Sequence, residues 1–221
     1  AGFVGAAVSL KCWAAQRRGA NCPPVSTFAD AQSLLADVRA GLDGVGAQRP
    51  SAIIIGSLGR VGAGALDFCA AQEVTTTNWD LAETKRGAPY PEVLAHDIFL
   101  NCILAAPGCP VFVPATAGTA TRQLCVIGDI ACDPASEFSP IKVNRQTTTW
   151  HAPARRVHQN PPLDVVAIDN LPSLLPLESS LDFAAQLLPS LLALDDPGGG
   201  VWARAKTLFD RHIQTLSHSA P

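Results

Sequence analysis

Residues 51 to 64 decide the fold: Ser51-Ala52-Ile53-Ile54-Ile55-Gly56-Ser57-Leu58-Gly59-Arg60-Val61-Gly62-Ala63-Gly64. The first five form a short, charge-free, β-branched run, the pattern of a parallel strand buried on both faces. The run breaks at Gly56 and enters a turn spaced G-x-x-G-x-x-G, with a fourth glycine behind it, in place of G-x-G-x-x-G. Glycines there permit a tight bend and let main-chain N–H groups approach a pyrophosphate, whose charge then faces the N-terminus of the next helix. Taken alone, such a turn also serves close packing of a strand on a helix.

Working outward, residues 60–71 have helical spacing, and 73–79 read as a strand closed by Asp80. The acid that hydrogen-bonds an adenosine ribose stands about 20 residues after the first glycine of such a turn. A carboxylate at Asp80 would also repel a 2′-phosphate, which favours NAD over NADP. The alternative is a strand-end cap. Arg60, inside the turn, is placed either to meet cofactor phosphate or ribose or to start a helix in solvent. Compact apolar runs predict further strands at 97–104, 124–130 and 163–168, with loops and short elements at 116–122 and 134–162.

Upstream, apolar spacing over 3–16 predicts a helix in which Gly2 and Gly5 allow close packing. A second helix is expected to be capped by Ser26 or Thr27, to run through Phe28, Leu34, Leu35 and Val38, and to end near Gly41, with 41–50 as connector. Downstream, one helix runs from Ser179 through Leu192 despite Pro189, and another covers 201–216 after Gly198-Gly199-Gly200. The whole is an α/β chain, a Rossmann-like doubly wound parallel sheet with flanking N- and C-terminal helices. Its expected divisions are 1–44, lead-in helices; 45–175, the dinucleotide-binding domain; and 176–221, the C-terminal helices.

Composition narrows the partners. A net charge of −3 over 221 residues, with no run of like charge, gives no field for nucleic acid or anionic lipid, so a small molecule is expected. No apolar stretch approaches the roughly 20 residues of a spanning helix. Seven cysteines without C-x-x-C spacing read as buried free thiols, with neither a disulfide framework nor a metal site. Neither H-E-x-x-H nor G-x-S-x-G occurs. Asp129 and Asp133 flank one predicted strand end and Asp169 closes another, where open α/β sheets present ligand contacts and where turns also favour Asp. The absence of methionine and the helical opening lead us to expect a fragment. No secretory segment is evident, and Ser219-Ala220-Pro221 is not a peroxisomal S-K-L ending, so the cytoplasm is the expected compartment.

Four ordered strings carry a resemblance: Ile53-Ile54-Ile55-Gly56-Ser57-Leu58-Gly59-Arg60, Trp79-Asp80-Leu81-Ala82-Glu83-Thr84, Asp97-Ile98-Phe99-Leu100-Asn101-Cys102-Ile103, and Ile168-Asp169-Asn170-Leu171-Pro172-Ser173-Leu174-Leu175-Pro176. Together they resemble the NAD-dependent, lysine-forming saccharopine dehydrogenases, over nearly the whole chain. That family cleaves saccharopine oxidatively to lysine and 2-oxoglutarate, using two Rossmann-like domains around a cleft.

The resemblance implies roles residue by residue. Gly59 and Arg60 would lie on the cofactor, Asp80 on the adenosine ribose with Thr84 assisting, and Leu104 against the cofactor. Ile130, Ile168, Asp169, Asn170 and Leu171 would line the nicotinamide side, and Ala131, Cys132 and Asp133 would face saccharopine. It further implies that the acid–base Lys and His belong to an N-terminal domain, absent from this chain, on which the final helices would pack. No catalytic residue is then expected here. Asn170 stands where the family has His, Leu177 where it has Arg, and Leu104 where it has an aromatic; Asn at position 170 keeps hydrogen bonding but carries no proton at neutral pH. Two other readings are a non-catalytic dinucleotide-binding module and an NADPH-using lysine-ketoglutarate reductase, the latter disfavoured by Asp80.

Overall fold

In the computed structural model, which describes residues 1–195 and 198–217, the chain divides at Pro176 into two compact units. His218 and the Ser219-Ala220-Pro221 ending lie outside the described residues. The first unit, Ala1–Pro176, is built on a six-stranded sheet. Its strands are β1 (Ser51–Ile55), β2 (Thr75–Trp79), β3 (Ile98–Asn101), β4 (Val126–Asp129), β5 (Arg155–His158) and β6 (Leu163–Val166), in the order β2-β1-β3-β4-β6-β5. Every pairing is parallel except that of β5 with β6 at one edge. This is a doubly wound order: the chain steps from β1 to one side, then crosses back to β3 on the other. The crossing leaves a crevice above β1 and β3, where open α/β sheets take ligands.

The central strands are buried on both faces, as their unbroken apolar runs require. Ile54, Leu100, Val126 and Val166 join the core beneath α1 (Gly2–Arg17), α2 (Ala31–Asp43) and α3 (Arg60–Ala71). The alternate residues Ile53, Ile55, Phe99, Ile127 and Val165 pack on the opposite face with Tyr90, Val93, Phe112 and Ile141. A chain of edge-to-face rings, Trp79 to Tyr90 to Phe112 to Phe99, runs through that second layer with centroids 5.3 to 6.2 Å apart. Small residues set how closely α1 lies on α3 and the sheet. A Cβ on Gly2 would stand 1.7 Å from the Val61 carbonyl oxygen, and one on Gly128 would stand 2.3 Å from Ser9 Oγ.

Several boundaries differ from the sequence expectation. The second helix starts at Ala31, capped by Asp30, whose carboxylate accepts from Ser33 N at 2.7 Å; Ser26 and Thr27 do not cap it. Phe28, expected inside that helix, precedes it and donates its N–H to Leu174 O. The helix then continues past Gly41 to Asp43. β3 ends at Asn101, three residues before Leu104: Cys102 N still donates to Ile55 O as a final rung, and the chain then passes over the glycine bend with Ile103 against Gly56. Arg155–His158, within the stretch expected to hold loops and short elements, pairs as the antiparallel edge strand β5.

The second unit, Leu177–Pro221, holds most of α6 (Pro176–Leu192) and α7 (Gly200–Ser217). α6 runs on through Pro189, and Trp202 Nε1 donates to Ser190 O at 2.7 Å. Leu181, Phe183, Leu188, Leu192, Phe209 and Ile213 are exposed. Among the described residues no helix is long and apolar enough to cross a membrane.

Candidate functional site

The glycine turn joins β1 to α3, and its conformation requires its glycines. Gly56 has φ +90°, and a Cβ there would lie 2.7 Å from the Ile103 side chain and 3.0 Å from the Cys102 carbonyl. A Cβ on Gly62 would lie 2.1 Å from Gly56 O, so the first turn of α3 presses onto the bend. Gly56 N and Ser57 N both donate to Trp79 O, the last residue of β2. Leu58 N donates to Asp80 Oδ2 at 3.0 Å. Leu58 itself is 88% exposed, with Gly59 and Arg60 exposed beside it. The bend thus offers main chain and a cationic side chain at the strand tips.

Asp80 has two structural duties. Its Oδ1 accepts from Leu81 N, and Glu83 Oε2 accepts from Asp80 N, a capping box on the four-residue α4 (Leu81–Thr84). Its Oδ2 holds the glycine bend. The cap and the ligand-contact readings of Asp80 are therefore compatible: a carboxylate has about four lone-pair sites, and the N–H groups of Leu58, Leu81 and Glu83 use three. Thr84 Oγ1 donates to Asp80 O, and Thr84 O accepts from the Tyr90 hydroxyl at 2.6 Å. Asp80, Thr84 and Leu104 come together on one pocket of about 320 Å³, walled by Ile55, Ile103 and Phe112. Leu104 is 86% exposed on its rim. The walls contributed by 106–110 and Phe112 escaped the sequence reading, because an apolar loop after a strand carries no motif.

The remaining candidates lie at the tips of β4 and β6, which are neighbours. Ala131 and Cys132 are half-buried, and Asp133, Asp169 and Asn170 exposed. Ile130, Ile168 and Leu171 are core residues, with the Ile130 side chain under Gly5 of α1. Asn170 Oδ1 accepts from Trp150 Nε1 at 2.9 Å, which fixes the amide with its NH2 as the remaining donor. Burial, reinforced by Asp129, Asp169 and Asp133, pushes the Cys132 thiol up to about 12, so it is no thiolate nucleophile at neutral pH. Asp129 is buried against Asn101, and burial raises its carboxyl above the usual range against the opposing hydrogen bonds from Asn101 and Cys132 N. At about 4.8 Å per strand, the β2 and β6 tips are about 19 Å apart. Only an extended ligand would span both groups.

A doubly wound sheet whose glycine bend and strand-end acid meet at the switch point defines a Rossmann-like α/β protein. No family model matches the chain. Across its length it is similar to saccharopine dehydrogenases named as NAD(+)-dependent and L-lysine-forming: 41% identical to that of Neurospora crassa, covering 100% of this chain and 62% of the relative. Those of Schizosaccharomyces pombe and Yarrowia lipolytica are each 38% identical, covering 98% and 96% of this chain. The chain belongs to the saccharopine dehydrogenase family, and it spans about three fifths of the length of these relatives.

Proposed function

We propose that this chain is the NAD-binding portion of a saccharopine dehydrogenase. The carrying observation is the 3.0 Å contact of Asp80 with the glycine bend, which puts a carboxylate and main-chain amides on one crevice. The residues fit the cofactor. The bend has room for close approach because Gly56 and Gly62 have no side chain, and Arg60 adds a positive charge beside it. Asp80 accepts from the ribose hydroxyls; Thr84 and Leu104 flank the adenosine pocket. Ile130, Ile168, Asp169, Asn170 and Leu171 border the nicotinamide, and Ala131, Cys132 and Asp133 the substrate.

The reaction is saccharopine + NAD+ + H2O to L-lysine + 2-oxoglutarate + NADH + H+. Bound NAD+ supplies the acceptor for hydride from the carbon joined to the secondary amine; hydrolysis of the resulting imine releases the products. At the β4 and β6 tips Cys132 keeps its proton and the Asn170 amide has none to give, while Asp133 and Asp169 are exposed acidic side chains. From the similarity to saccharopine dehydrogenases we infer that the acid–base Lys and His come from an N-terminal domain of the same protein, that the exposed apolar side chains of α6 and α7 serve to meet it, and that this portion alone is inactive. Supplying the remaining portion of a relative to this chain is the experiment: lysine-dependent oxidation of NADH in the presence of 2-oxoglutarate should appear. No turnover from the assembled protein would overturn the reading. Faster turnover with NADPH than with NADH would replace it with a reductase of the opposite preference.

A further inference from the structure

Asn101 closes β3 and Asp129 closes β4, and the two are register partners in the sheet. Both are almost fully buried, 1% and 3% exposed, at the edge where every proposed ligand contact lies. Asn101 Nδ2 donates to Asp129 Oδ1 at 2.9 Å, and Asn101 Oδ1 is left buried without a hydrogen-bond partner. A buried carboxylate with one orphaned amide oxygen is a poor way to fill a core. What the pair does hold is the chain that follows β4. Asn101 O accepts from both Ile130 N and Ala131 N, and the Asp129 carboxylate accepts from Cys132 N. Cys132 sits at φ +49°, a left-handed conformation that a non-glycine residue adopts only when its surroundings impose it.

We propose that Asn101 and Asp129 are a positioning pair: they fix the turn at 130–133 in the shape that receives the nicotinamide end of the cofactor, without touching the cofactor themselves. The inference rests on the cofactor reading above and extends it to Asn101 and to the strand-end acid Asp129, neither of which is among the cofactor contacts of that reading. A filler role and a positioning role differ in what they protect. A filler protects stability and affects all ligands alike. A positioning pair protects one turn, and its loss is felt by the nicotinamide half of the ligand more than at the Asp80 ribose contact, which lies at the tip of β2, three strands from β4.

The test compares Asp129→Ala, Asp129→Asn and Asn101→Ala with the wild-type chain, using NADH and ADP-ribose titrations and the labelling rate of Cys132 by a small maleimide, read peptide by peptide. Melting temperature identifies any variant that fails to fold; Asn101→Ala, which retains the main-chain carbonyl, carries the test if Asp129→Ala does not. The expectation is a roughly tenfold rise in Cys132 labelling and a roughly fivefold loss of NADH affinity in the alanine variants, with ADP-ribose affinity unchanged. Asp129→Asn, which keeps the side-chain shape and one acceptor oxygen, should lie closer to wild type in NADH affinity than Asp129→Ala, and because both variants lose the charge beside Cys132, the labelling comparison rests on Asn101→Ala. Labelling that does not change, or NADH and ADP-ribose affinities that fall together, would overturn the inference while leaving the cofactor reading intact. A wild-type chain that binds neither ligand would overturn the cofactor reading, and the pair's role with it.

Discussion

Leu58 and Asp80, 22 positions apart, are joined by a 3.0 Å hydrogen bond from the Leu58 main-chain N–H to Asp80 Oδ2. The bond ties the glycine bend after β1 to the acid after β2. It also makes the acid's position a property of the fold, since the same carboxylate caps α4. Replacing Asp80 with Asn removes the charge and leaves one acceptor oxygen where Leu58 N and Leu81 N are held by two, so one of these contacts is lost. Stability should fall by about 1 kcal/mol for the lost hydrogen bond, while NADPH affinity should rise about tenfold as repulsion of the 2′-phosphate is relieved, about 1.4 kcal/mol. Parallel titrations with NADH and NADPH check this; unchanged discrimination would show that Asp80 does not face the 2′ position.

Gly62 admits no side chain, because a Cβ would meet Gly56 O at 2.1 Å and Ser57 Cα at 2.6 Å, both main-chain atoms. Gly62→Ala should therefore cost about 2 kcal/mol by urea denaturation, within the range of overpacked cores, and should weaken NADH binding by displacing the bend. Gly41→Ala, inside α2 with open space around its Cβ, should be neutral or stabilising by up to about 1 kcal/mol. Similar midpoints for the two variants would contradict the close packing of the bend on α3.

Arg122 ties three segments of the chain together. Its guanidinium donates to the carbonyls of Ala117, Gly118, Leu124, Pro161 and Pro162, which join the short 3₁₀ turn Ala115–Gly118 to the lead-ins of β4 and β6. A single Lys nitrogen cannot reach five carbonyls in that fork geometry. Arg122→Lys and Arg122→Ala should both lose about 2 kcal/mol of stability, measured by denaturant midpoint. A lysine variant of wild-type stability would show that charge alone suffices.

Asp129 gives a pH signature of unusual sign. Burial raises its carboxyl above the ordinary 3.8, so between those two values the folded chain binds more protons than the unfolded one. Its contribution to stability is thus fully present below the ordinary value and is lost as pH rises through the raised one, opposite to a salt-bridged aspartate. Asp129→Asn removes the titration. The stability of that variant relative to wild type should rise between pH 4 and pH 7, as followed by urea midpoints. A difference independent of pH would mean that the carboxyl ionises normally.

What could be read in the sequence were features with a local cause. The β1 run, its glycine bend and Asp80 are each dictated by neighbours within a few residues, and together they mark the strand, turn, helix, strand and acid of the β1–β2 unit; the strand order around it is set by contacts far apart in sequence. The helix start at Asp30 was misplaced because Ser26, Thr27 and Asp30 are all competent caps, and the choice falls to Phe28, whose N–H is taken by Leu174 O. β5 was hidden because an edge strand of sequence Arg-Arg-Val-His carries no apolar alternation. The pairing of Asn101 with Asp129 depends on strand register, and no local pattern encodes that.

The central claim is that Asp80 and the glycine bend grasp the adenosine half of an NAD molecule, and calorimetric titration of NADH into wild-type and Asp80→Ala protein tests it most directly. Loss of a hydrogen bond to a charged acceptor predicts at least about a tenfold weaker affinity, alongside a stability loss of about 1 kcal/mol from the missing helix cap. A folded Asp80→Ala chain that binds NADH as tightly as wild type would contradict the account.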